Sequence, residues 1–167
     1  MRVIKWMLIV LGFLITIAAI QVGYETSFRL IFGKASYSTK AMFQVPQTSV
    51  EIILERRVIH LFLAEYERTL ILNLDGKEVL RRAIAIDTGG YSRINVYQIS
   101  PTEYFLSGDL SHDKYELNIT QRKLNSAMST EKPSSTKFIG AFDVDEKRNW
   151  RFISADERIE QKSKFEK

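Results

Sequence analysis

The chain contains no cysteine among its 167 residues. That absence excludes disulfides, thiolate nucleophiles, zinc–thiolate sites and lipid attachment at a lipobox cysteine. Histidine is nearly as scarce. His60 and His112 stand alone and far apart, so no transition-metal site is expected and no cofactor is implied. Charge of one sign is lacking too. The net charge is +4, but Arg2 and Lys5 precede the first apolar run, and from Glu25 onward 22 bases face 20 acids. They are interspersed and form no basic stripe, so nucleic acid is not an expected partner. With 45% hydrophobic and 26% charged residues, the composition is that of a folded protein.

Long apolar runs are lacking everywhere except at the start. Trp6 to Ile20 is uncharged, and the run extends through Tyr24 before Glu25. Nineteen residues come close to the about 20 needed to span a bilayer. Trp6 and Tyr24 sit at its ends, where amphipathic rings favour the headgroup region, and Lys5 can snorkel. Residues 1–24 therefore read as a single-pass signal-anchor. A cleaved signal peptide is the competing reading, with Thr16-Ile17-Ala18 as its nearest approach to a cleavage site. Arg2 and Lys5 favour a cytoplasmic N-terminus at a bacterial inner membrane, although Arg29 and Lys34 nearly balance the count. The remainder would then be periplasmic.

Residues 25–46 read as a juxtamembrane tether that ends near Pro46. From 47 to 154, strand signals follow one another. They cover Val50–Leu54, Val58–Leu63, Thr69–Leu74, Glu78–Ile86, Arg93–Ile99, Tyr104–Leu106, Tyr115–Ile119, Phe138–Val144 and Trp150–Ile153. Asp75-Gly76 is a hairpin signal, and Glu55-Arg56-Arg57 separates the first two runs. Gln121 to Lys137 reads as a long loop. Ser154 followed by Glu157 has capping-box spacing, so residues 155–167 read as a charged tail or short helix. Roughly eight short strands imply an antiparallel sandwich or barrel-like β domain behind the anchor. Trp150 and Phe152 share a face that is expected to be core.

Among motifs, Ala85-Ile86-Asp87-Thr88-Gly89 resembles the active-site turn of retroviral-type aspartic proteases, and Phe138-Ile139-Gly140 resembles their downstream apolar-apolar-Gly element. The resemblance implies a dimer in which two copies of Asp87 share a proton, with Thr88 and Gly89 completing the turn. Gly90 stands where that family has Ala or Ser. The plain reading is a turn in which Asp87 accepts backbone hydrogen bonds. The strand–Asp-Gly-Lys–strand stretch is also similar to the start of L,D-transpeptidase domains, whose chemistry needs the missing cysteine.

Ser111-His112-Asp113 holds triad residue types side by side, but consecutive residues cannot reach one another's reacting atoms. Asp143, Asp145 and Glu146 lack the glycine and terminal carboxylate of a calcium loop. Asn118-Ile119-Thr120 matches a glycosylation acceptor. No set specifies a reaction.

The expectation is a membrane-anchored, non-enzymatic module that binds another protein, as an envelope accessory subunit or an immunity-type protein facing a toxin. The alternatives are a tethered aspartic protease using Asp87, and a β domain that binds a small ligand in a sizeable apolar cavity.

Overall fold

The computed structural model describes residues 38–60, 65–89, 93–109, 112–127 and 133–160, together with scattered helical positions between 12 and 23. The chain divides into two units, Met1–Tyr37 and Ser38–Lys167. In the first, Gly12, 15–17, 19–21 and 23 are helical, and the Thr16 hydroxyl donates to the Gly12 carbonyl at 2.9 Å. Among the described residues no helix is long and apolar enough to cross a membrane. The expected boundary residues Lys5, Trp6 and Tyr24 lie outside the described residues.

The second unit is built from two antiparallel sheets. One comprises β1 (Ser38–Gln44), β2 (Val50–His60), β3 (Glu65–Leu74) and β4 (Lys77–Asp87), in that order. The other contains β5 (Ile94–Ser100), β6 (Glu103–Gly108), β7 (Lys114–Asn118), β8 (Lys123–Ser126), β9 (Lys137–Val144) and β10 (Trp150–Ser154). Its spatial order is β10-β9-β5-β6-β7-β8, so the chain leaves β8 and returns on the far side of β5. The inner faces interlock in one core. Ile52, Leu54, Leu70 and Leu72 come from the first sheet, and Ile94, Val96, Leu106, Leu117 and Phe142 from the second. The sandwich expectation holds.

Several local expectations need correction. The runs around Glu55-Arg56-Arg57 form one strand, β2, rather than two. The charges follow the two-residue period of the sheet. Glu55 receives Lys40 and Arg81, Arg57 pairs with Glu67, and Arg56 turns inward. The end of the second run, 61–63, lies outside the described residues. The tether contains β1, which pairs with β2 from Ser38↔Arg57 to Gln44↔Glu51. The sheet therefore begins at Ser38, ahead of residue 47. The loop after Gln121 contains β8, where Leu124 alone is buried.

Ser154 and Glu157 do meet, with the Ser154 amide donating to Glu157 Oε1 at 3.3 Å. They close a turn over 155–157, and no helix follows among the described residues. Nor is that stretch simply solvated: Arg158 pairs with Asp143, and the Tyr97 hydroxyl donates to Glu160 at 2.8 Å. The Asp75-Gly76 turn is as expected. Both residues have positive φ (50° and 72°), the conformation that a tight two-residue hairpin requires.

Candidate functional site

Polar groups gather at the end of the sandwich where β2, β4, β6 and β9 finish. Arg56, on the inner side of β2, lies between two rings, 4.7 Å from the centre of Tyr66 and 4.3 Å from that of Trp150. Its Nε donates to Thr39 Oγ1 at 3.0 Å. Burial lowers its pKa, opposed by Tyr66, Asp87 and Asp143. Such stacking suits guanidinium, whose planar face is weakly hydrated. Trp150 is fixed in turn by donating Nε1–H to the Leu54 carbonyl at 3.1 Å.

A second arginine joins the sheets. Arg68 and Asp113, with side chains 1% and 2% exposed, pair at 2.7 Å. Arg68 Nε also donates to the Ala85 carbonyl at 2.8 Å. Gly108 makes room for Asp113, because a Cβ there would lie 1.8 Å from Asp113 Oδ2. The Ala85 amide donates to the Tyr115 hydroxyl at 2.7 Å, and burial raises the pKa of that phenol. Among the described residues Arg68 Nη1 and Asp113 Oδ1 have no hydrogen-bond partner. Removing either charged partner would leave the other buried and uncompensated.

The described residues singled out in the sequence each take a definite place. Asp87 ends β4 opposite Tyr66 and is 4% exposed. Its Oδ1 accepts the Gly89 amide at 3.0 Å, and Gly89 has φ of 104°; Thr88 is exposed. This is the hydrogen-bonded turn of the plain reading, and two such carboxylates must first be uncovered before they can share a proton. Gly140 lies in β9 opposite Val96 and Ser154. It has φ of 146°, and a Cβ would lie 2.3 Å from the Ile153 carbonyl, so close strand packing accounts for this glycine. It leads into the β9–β10 hairpin rather than a helix.

His112 is exposed while Asp113 is buried on Arg68, and Ser111 lies outside the described residues. His60 is the last residue of β2. Asp145 is occupied by its own turn: Oδ1 accepts the Lys147 and Asn149 amides, and Oδ2 accepts Arg151. The Asn149 amide, first among these, lowers its pKa. Among the described residues no group of three histidines or acids could hold a metal. Asn118 donates to Glu103 and accepts the Gln121 amide. Trp150 and Phe152 join the core as expected, with Phe152 against Phe43 and Phe142.

Two surface grooves lie on described residues. One, of about 480 Å³, follows the β9–β10 hairpin, and its Arg151 already bridges Asp145 and Glu157. The other, of about 240 Å³, runs between the edges of β4 and β8. Both are more polar than the apolar mouth that a small-ligand barrel requires. No family model matches the chain, and neither a curated protein nor a solved structure matches it.

The sequence reading missed the Arg68–Asp113 pair and the Arg56 stack. A signal was present for both arginines. Arg68 shares the parity of Leu70 and Leu72, and Arg56 that of Ile52 and Leu54, so each is a charge written at an inward strand position.

Proposed function

We propose that the chain is a single-pass, membrane-anchored, non-enzymatic protein-binding module of a bacterial inner membrane. Its N-terminus is cytoplasmic and its β domain periplasmic, where it serves as an envelope accessory subunit or as an immunity-type protein that engages a toxin.

One observation carries the reading. In the N-terminal unit, Ile15, Ile17 and Ile20 are 60%, 45% and 67% exposed. At about 100° per helical residue, Ile17 and Ile20 lie roughly 200° and 140° around the axis from Ile15. Exposed isoleucine over so wide an arc is unfavourable in water and ordinary in lipid. The apolar run belongs to a compact unit of its own, Met1–Tyr37. The basic head at Arg2 and Lys5 supports the orientation. Affinity purification of the full chain from detergent-solubilised membranes is expected to recover one stoichiometric protein partner. Recovery of the chain alone, at native expression and under mild detergent, contradicts the reading.

A further inference from the structure

We propose that the outer edge of β4, with the groove between β4 and β8, receives an extended acidic segment of the partner as an added strand. This rests on the protein-binding reading above and names the surface and the chemistry that it recognises.

β4 is the last strand of its sheet, and among the described residues no strand pairs with its outer side. It has 11 residues, against four in β8 and five in β10. The direction of its free groups follows from Ala85. That amide points away from β3, because it donates to Tyr115 on the facing sheet. Strand alternation gives the amide and carbonyl of Ala83 the same outward direction. Ala83 is exposed and its side chain is small, so a second backbone can approach. Such an edge is a template for strand addition, in which main-chain bonds supply affinity and side-chain pockets supply selectivity. The groove beside it offers such a pocket, with Ile84, Leu124 and Tyr115 among its lining residues.

Charge decides the occupant. Arg82 lines the groove, is exposed, and has no ion-pair partner among the described residues. Its neighbour Arg81 differs, being held by Glu55 and Glu78. Among the described residues no acid lines the groove, so Arg82 is the charge that it presents. An extended segment with carboxylates at alternate positions fits this edge, and one with lysines is repelled.

The probe is a fluorescent decapeptide of alternating valine and glutamate, titrated by anisotropy against the full chain in detergent micelles. A second probe carries lysine for glutamate. The acidic probe is expected to bind, and the basic one to bind at least roughly ten-fold more weakly. Arg82→Glu is expected to weaken the acidic probe by at least roughly ten-fold and to favour the basic one. Ala83→Pro removes an outward amide without touching the β3 ladder, and is expected to weaken the acidic probe similarly while tryptophan fluorescence reports an unchanged fold.

No binding of the acidic probe, equal binding of both probes, or unchanged binding in Arg82→Glu overturns the proposal. So does light scattering that shows a dimer dissociated by Ala83→Pro, since the occupant is then a second copy. Purification from membranes separates the two levels. A partner retained equally by wild type and Arg82→Glu refutes this edge alone, whereas no partner with wild type refutes the wider reading.

Discussion

Along one side of the sandwich, β1 meets β10 through rings. Phe43 lies 4.6 Å from Phe152, centre to centre, and Trp150 bonds to the backbone of β2. Along the other side, β4 and β8 are held apart by a groove, and the sheets are joined by polar contacts, Tyr115 with Ala85 and Arg68 with Asp113. An apolar seam excludes water and gains from every contact. A polar joint keeps the sheets in register but leaves an edge open to solvent. The same fold thus closes one edge and leaves the other available.

The largest test of that contrast is Trp150→Ala, which is expected to cost about 4 kcal/mol in denaturant unfolding because a buried aromatic is lost from the closed side. Asp113→Ala, on the open side, is expected to cost about 3 kcal/mol, the penalty of a buried guanidinium left unpaired. Adding Arg68→Met should restore part of that loss; a fully additive double mutant contradicts the pairing. Tyr115→Phe is expected to cost about 1 kcal/mol and to speed hydrogen exchange at Ala85 while amides in β9 keep their protection.

The smallest effect is a pH response outside both sides. Arg151 and the Ser154 amide hold Glu157 down to about 2, against its ordinary 4.5. Its contribution is complete above pH 4.5 and is lost as pH falls through about 2. Amide exchange over 154–158 should therefore rise in that window in wild type and be insensitive to it in Glu157→Gln.

The β3–β4 hairpin was legible because Asp75-Gly76 fixes a turn type by itself. Thr69 to Leu74 alternates less cleanly, so the turn rather than a period marked the pairing around it. β8 was hidden because Lys123-Leu124-Asn125-Ser126 has one apolar residue, too few to show a period. β1 was hidden because exposed Met42 sits between Ala41 and Phe43, so its apolar face does not stand out. β2 was divided because a run of charges reads as a break, although alternation sends Glu55 and Arg57 outward and Arg56 between two rings. The Ser154–Glu157 spacing marks a contact that here closes a turn over 155–157, since a capping contact also closes an isolated turn.

The polar joint could not be read from the chain alone. Arg68 and Asp113 lie 45 positions apart, and their meeting depends on how two sheets face each other. The Asp-Thr-Gly turn shows the converse limit, because a motif placed the aspartate and its glycine while burial set what surrounds them.

Carbonate extraction of membranes, followed by protease treatment of intact spheroplasts, tests the membrane-tethered account most directly. The account predicts that the chain, with its N-terminal apolar segment intact, stays in the pellet and that external protease removes the β domain. A chain released by carbonate, beginning beyond Ala18, or shielded until the cells are lysed contradicts it.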